Sequence, residues 1–243
     1  MPTSNANPSS PPPSTGFSQR LERLRADLTE QGKRVQAMVD LALEALFNRD
    51  DNKAKLAIAM DDAVDTADVE LEKACVQLLA DATREGASLD QGQLRLLLTI
   101  AKANNELERI ADAAVDVGEM VPGIQIAGQS FPDTFRVMAN SVIGILRDTN
   151  TAVAKNDPLL AKVVLQSQHA VTAFKAAIVR DTEERIAKGA MGVDVAFRLH
   201  EVAGQCELIA DHCTNISEQI IYLTTGSIVR HTDARWIEIP QKS

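Results

Sequence analysis

Apolar residues recur along most of this chain at the three- and four-residue spacing of amphipathic helices. Phe17, Leu21, Leu24, Leu28, Val35, Met38, Val39, Ala42 and Leu46 form one such line, which predicts a first helix opening near Phe17 with Ser14 or Thr15 as its cap. Gly32 falls inside that helix, where glycine costs about 1 kcal/mol relative to alanine. Asn48 to Asn52 reads as a turn. A second helix is predicted over 53–85, with Leu56, Met60, Val64, Leu71, Cys75 and Leu78 on its buried stripe. Asp61, Asp65, Asp68 and Glu72 form a separate acidic stripe, about 110° around the wheel. A third helix is predicted from Gln91 to Glu119, stopped by Val121-Pro122-Gly123. Leu94, Leu97 and Ala101 mark its core line, and Glu108 and Asp112 continue that line where further leucines are expected.

Residues 121–131 read as a linker, and the pattern then starts again. Helices are predicted from Pro132 to Lys155, Pro158 to Lys188 and Val193 to Val229, with proline at a first turn and glycine after a last one. Arg230 and His231 then suit the negative dipole end of the last helix. No β-hairpin signal stands out. The predicted architecture is all-α, a tandem repeat of two three-helix bundles at 17–120 and 132–231, between an N-terminal tail (1–16) and a C-terminal tail (232–243).

Composition narrows the class. Aromatics at 3% and hydrophobics at 45% suit helix-on-helix packing. A net charge of -9 and a pI near 5.0 leave no basic stripe for nucleic acid. Cys75, Cys206 and Cys213 are too few for a disulfide framework and point to a reducing, cytoplasmic setting. The first 16 residues hold five prolines and neither lysine nor arginine, which reads as a disordered tail and not as a signal peptide. No stretch reaches the roughly 18 apolar residues needed to span a bilayer, so no membrane insertion is expected.

One pentad occurs twice. Glu108-Arg109-Ile110-Ala111-Asp112 is echoed 99 residues later by Glu207-Leu208-Ile209-Ala210-Asp211, and the echo extends to Asp116 and Asn215. Glu108, Asp112 and Asp116 at i, i+4 and i+8 share one helix face, where like charges repel by a few tenths of about 1 kcal/mol per pair. Carboxylates on or near a core line call for a cation, an arginine or shared protons, since burying one unpaired costs several kcal/mol. Arg109 is one candidate partner. His200 shares a stripe with Glu207 and Asp211, whereas Cys206 and Cys213 lie on the apolar face as core.

Several of these segments together resemble the PhoU family of phosphate-uptake regulators. They are Leu107 to Asp112, the DxxxD of Asp61 and Asp65, Leu94-Arg95-Leu96, the run from Glu207 to Glu218, and Tyr222 to His231. The resemblance covers nearly the whole chain after the tail. It implies a cytoplasmic protein, commonly a homodimer, that represses the phosphate-starvation response through the phosphate ABC transporter and its sensor histidine kinase. It also implies metal binding by carboxylates of paired helices: Asp61, Asp65, Glu108, Asp112 and Asp116 in the first repeat, and Glu207, Asp211 and Asn215 in the second. Oxygen ligands suit Mg²⁺, Mn²⁺, iron or Zn²⁺ without choosing among them. The second repeat departs from the pattern, because its DxxxD positions hold Gln168 and Thr172 and its arginine position holds Leu208. A degenerate second site is expected.

No enzyme is expected. No histidine follows a glutamate by three residues as a di-metal oxidase requires, and P-loop, GxSxG, HExxH and CxxC motifs are all missing. A metal-buffering or metal-dependent bundle is the competing class.

Overall fold

The computed structural model describes residues 15–124, 131–232 and 235–239, so the predicted cap Ser14, nearly all of the N-terminal tail and most of the linker lie outside the described residues. The helices run in the order α1 (Thr15–Asn48), α2 (Asp51–Ala59), α3 (Asp61–Arg84), α4 (Gln91–Ile124), α5 (Asp133–Lys155), α6 (Pro158–Ala187) and α7 (Val193–Thr225). Two short strands follow, β1 (Ile228–Thr232) and β2 (Arg235–Ile239). α1 packs on α2, α3 and α4, and α5 packs on α6 and α7, which gives the tandem of helical triplets.

The same turn opens the second hairpin leg of each repeat. Arg49 at φ 54 and Asn156 at φ 50 take the left-handed conformation that stops α1 and α5. The next residue caps the following helix in both cases. Asp50 accepts from the amides of Asn52 and Lys53 at 3.0 and 3.1 Å, and Asp157 from those of Leu159 and Leu160 at 2.9 and 3.1 Å. Such a cap contributes about 1 kcal/mol by satisfying amides that the first turn leaves free.

Four expectations are corrected. The helix predicted over 53–85 breaks at Met60, which ends α2 and begins α3. Before the break Ala54 and Ala57 of α2 face the core, and Leu56, expected inside, is 58% exposed. The third helix does not stop before Pro122 but carries it within its last turn. Val121 and Ile124 are buried there, and burial of such side chains at about 1.5–3 kcal/mol each offsets the lost amide hydrogen bond. The last helix ends at Gly226, whose φ of +74 suits a residue without Cβ. Arg230 and His231 therefore sit in β1, which pairs antiparallel with β2 with Ile228 opposite Ile239 and Thr232 opposite Arg235. The runs Ile228–Thr232 and Arg235–Ile239 are too short for a clear alternation signal, and the helical period upstream masks them.

The repeats meet mainly through α4 and α7, which lie antiparallel. Glu106 faces Asn215, Asp116 faces Gln205, a Cβ on Gly123 would lie 2.3 Å from Arg198, and one on Gly226 would lie 2.8 Å from Arg95. Each step forward along α4 is matched by a step back along α7, so the register centres on Ala111 opposite Ala210. Both alanines of the repeated pentad are fully buried. Small side chains there let two long helices approach closely. A second seam joins α1 to α5, where Asn150 Nδ2 donates to the Gly32 carbonyl at 2.9 Å and to Gln36 Oε1 at 3.1 Å. A Cβ on Gly32 would lie 2.5 Å from Asn150 Oδ1, so this glycine makes room for the seam. Phe131 and Phe135 stack at 5.6 Å between centroids, and Phe47 meets both edge to face at 5.4 and 5.9 Å across the junction of the repeats. The buried side chains of both triplets form one continuous core.

Enlarging the crossing tests this geometry. Ala111→Leu is expected to cost about 1–3 kcal/mol by overpacking, measured by urea unfolding. Leu98→Ala, at a 53% exposed position of the same helix, is expected to change stability by less than about 0.5 kcal/mol.

Candidate functional site

Carboxylates gather where α3 and α4 run side by side. Asp61, Asp65 and Asp68 come from α3, and Glu108 and Asp112 from α4. Asp61 and Asp62 occupy the first turn of α3, where the positive end of the helix dipole favours acids, so part of this charge has a local structural reason. Glu108 and Asp112 do not continue the core line as expected. Leu94 on that line is itself 40% exposed, and of the expected line only Leu97 is fully in the core, which continues through Ile100, Leu107, Ile110 and Val117. Glu108 lies at the edge of that core with its side chain 24% exposed, and Asp112 at 50%.

Mutual repulsion marks the group. Burial lifts Asp61 above the usual carboxylate range, and Asp65, Asp112 and Asp62 push it further. Burial lifts Glu108 as well, with Asp112, Asp68 and Asp65 adding to the rise and Arg109 opposing it. Asp68 is raised by burial and by Glu72 and Asp65. Arg109 does sit by its neighbours, Nε 3.4 Å from Glu108 Oε2 and one terminal nitrogen 3.6 Å from Asp112 Oδ2, but these contacts fall outside hydrogen-bond geometry. Asp61 Oδ1 and Glu108 Oε2 are buried without a hydrogen-bond partner. Leaving a buried acceptor unsatisfied costs about 1–3 kcal/mol, and more when it is charged. Two inward oxygens without donors, on helices rich in further carboxylates, fit a hard cation in donor chemistry. Among the described residues no three His, Cys, Asp or Glu side chains close on one point, so the acids form a field and not a preformed cage.

Asp116 and Asn215, both expected as ligands, face the other repeat. Gln205 Nε2 donates to Asp116 Oδ2 at 2.8 Å, and Asn215 Nδ2 donates to Glu106 Oε2 at 2.9 Å. His212 Nδ1 adds a 2.6 Å contact to that same Glu106 oxygen. Burial pushes Glu106 up, but the hydrogen bonds from His212 and Asn215 outweigh it and hold the carboxyl below its usual range. The pairs are mates across the crossing of α4 and α7. The i+8 spacing placed these residues on the acidic face, but one further turn of helix brings them round to the neighbouring repeat.

Asn104, four residues before Glu108, went unnoticed in the acidic pattern because it is neutral. Its Nδ2 donates to Asp68 Oδ1 at 2.6 Å and to the Asp68 carbonyl at 3.1 Å, tying α3 to α4. An open cleft of about 780 Å³ begins beside it, lined among others by Asp68, Glu72, Asn105, Glu106 and Asn215.

The second repeat brings Glu207 and Asp211 together with the two expected positions on α6. Gln168 Nε2 donates to Asp211 Oδ1 at 2.7 Å, and Thr172 Oγ1 to Glu207 Oε1 at 2.9 Å. Lys175 Nζ lies 2.6 Å from Glu207 Oε2. His200 is not part of this group, since its ring bonds to the Thr182 hydroxyl. Cys206 and Cys213 are fully buried, and burial pushes both thiols up to about 12.

Comparison with known proteins places this geometry. The chain matches the model of the PhoU domain twice, over residues 28–121 and 135–220. It is 28% identical over 218 residues to a phosphate-specific transport system accessory protein PhoU homolog of Pseudomonas putida, covering 88% of this chain and 83% of that protein. The crystal structure of PhoU from Pseudomonas aeruginosa superposes with a TM-score of 0.79 at 26% identity, covering 86% of this chain and 99% of that one. A PhoU crystal structure from Streptococcus pneumoniae shares the fold with a TM-score of 0.80 at 23% identity, covering 88% and 99%.

The raised carboxylates have a pH signature. The folded chain holds protons on Asp61, Asp68 and Glu108 more tightly than the unfolded chain, so stability rises as pH falls from neutrality through the raised values toward the ordinary 3.8 to 4.5. Chelator-treated protein is expected to melt higher at about pH 5 than at about pH 7.5. Glu108→Gln is expected to shrink that rise, and the difference between the two proteins isolates this group from the His212 pair.

Proposed function

The chain belongs to the PhoU family, and on that premise we propose that it is a non-enzymatic regulator of phosphate uptake. In this reading it works in the cytoplasm as an adaptor, a homodimer that restrains the starvation response by contacting the phosphate ABC transporter and its sensor histidine kinase. The observation that carries the reading is the double PhoU match laid over both helical triplets, together with relatives named as accessory proteins of phosphate-specific transport. Among the described residues no helix is long and apolar enough to cross a membrane, which agrees with an accessory role beside a transporter. A net charge of -9 favours partner contacts that weaken as salt screens them.

A second reading rests on the oxygens of Asp61 and Glu108 that are buried without a hydrogen-bond donor. Asp61, Asp65, Asp68, Glu108 and Asp112 would hold a hard or borderline cation such as Mg²⁺, Mn²⁺, iron or Zn²⁺. The ion would neutralise the repulsion between α3 and α4 and fix their spacing, which stiffens the first repeat as a docking surface. Asp116 and Asn215 are left to the contact between repeats.

Deletion of the protein is expected to derepress phosphate uptake at high phosphate, measured as transport of labelled phosphate. Unchanged repression in the deletion strain counts against the adaptor. Asp112→Asn is expected to lower bound metal several-fold in elemental analysis. If partner capture survives chelation, the ion is structural and the adaptor reading holds without it.

A further inference from the structure

The repeats share a backbone plan but not its chemistry at one place. Gln168, Thr172 and Lys175 of α6 stand where α3 carries Asp61, Asp65 and Asp68, at the spacing that also relates the capping residues Asp50 and Asp157. In the first repeat Asp61 lies close enough to Asp112, and Asp65 and Asp68 close enough to Glu108, to raise the pKa of Asp61 and Glu108. In the second repeat the same pairs of positions meet as donor and acceptor. Gln168 bonds to Asp211 at 2.7 Å, Thr172 to Glu207 at 2.9 Å and Lys175 to Glu207 at 2.6 Å.

We infer that the second repeat carries its own cation, with the Lys175 ammonium taking the place of a divalent ion and Gln168 and Thr172 supplying the remaining contacts, so that metal binding is confined to the first repeat. An ammonium is a compact point charge with three donors, a reasonable stand-in for a hard ion between carboxylates. Both Glu207 oxygens and Asp211 Oδ1 already accept hydrogen bonds, unlike Asp61 Oδ1 and Glu108 Oε2. A divalent ion would have to break these bonds and then sit beside Lys175. With one amide, one hydroxyl and two carboxylates, the ligand charge that sets affinity for such an ion is also low. The cluster links α6 to α7 at any metal concentration, whereas between α3 and α4 Asn104 bonds to Asp68 and leaves oxygens of Asp61 and Glu108 without donors.

This inference leans on the proposed first-repeat site only for the contrast between the halves, and the experiment separates the two. Purified full-length chain is stripped with chelator, loaded with Mn²⁺, desalted and counted by elemental analysis, as wild type, Asp211→Asn, Asp112→Asn and the triple variant Gln168→Asp/Thr172→Asp/Lys175→Asp. Asp211→Asn is expected to hold as much Mn²⁺ as wild type, and the triple variant at least one further ion per chain. The triple variant is also expected to gain more in melting temperature from Mn²⁺ than wild type does. Should it fail to fold by circular dichroism, Gln168→Asp/Lys175→Asp carries the same test. No gain in the restored variant overturns the inference, as does an equal loss of metal in Asp211→Asn and Asp112→Asn. Wild type without Mn²⁺ beside a restored variant that binds it removes the first-repeat site and leaves the Lys175 assignment standing.

Discussion

Close packing of α4 against α7 is the constraint on which the other features of the molecule depend. Two helices of more than thirty residues cross antiparallel, and the register observed along them puts Ala111 opposite Ala210, both without solvent exposure. A longer side chain at either position would hold the axes apart, and the polar pairs on either side would lose contact. Those pairs, Glu106 with Asn215 and His212 on one side and Asp116 with Gln205 on the other, then set the register that apolar contacts alone leave loose. Arg95 and Arg198 lie against Gly226 and Gly123 near the far ends, where a Cβ would require the guanidinium to move aside. One interface therefore fixes the relation of the two triplets along its whole length.

Within that frame, each repeat turns an edge of its third helix toward its second. The edge is half-exposed, which is where a carboxylate keeps its charge at modest cost and still feels its neighbours. The first repeat meets the charges of this edge with long contacts from Arg109 and one amide, Asn104 on Asp68, and leaves oxygens of Asp61 and Glu108 without donors. The second sets a lysine, an amide and a hydroxyl against them, although burial and the Glu207 charge still hold Asp211 above its usual range. Similar backbones thus support two edges of different chemistry, and the difference resides in three side chains of α6.

Such asymmetry is plausible energetically because the cost of uncompensated charge is spread over several partly solvated groups. No single carboxylate of the first repeat is fully buried, so water shares the burden that an arginine or a cation would carry in a dry core. Among the fully buried polar side chains Gln31 shows the stricter satisfaction of a dry position. Gln31, without solvent exposure, donates to the Val64 carbonyl at 2.8 Å and accepts from Arg34 at 2.8 Å. Gln31 is thus bonded where no water reaches it, whereas Ser217 Oγ is buried without a partner, and the wet acidic edge retains freedom to take up protons or ions.

The helical class, the tandem repeat and most helix limits were legible in the chain, because apolar period, caps and glycine or proline stops are local and act within a few residues. Which acids share a face of one helix was legible for the same reason, whereas the expected weakness of the second site came from the departure of Gln168, Thr172 and Leu208 from the family pattern. The break at Met60, the passage of α4 through Pro122 and the strands after Gly226 were not, because each is decided by burial against distant elements that override local preference. The roles of Asp116 and Asn215 were misread for a related cause. Spacing places them on the acidic face, but only the crossing of α4 with α7 determines which helix meets them there. Lys175, Asn104 and His212 were silent in the sequence, since a lysine, an amide and a histidine acquire meaning only when another helix brings a carboxylate to them. The sequence by itself determined which residues share a face, as helix periodicity is a property of one segment. The tertiary structure alone decided which faces meet, because pairing between helices depends on packing distances that no single segment contains.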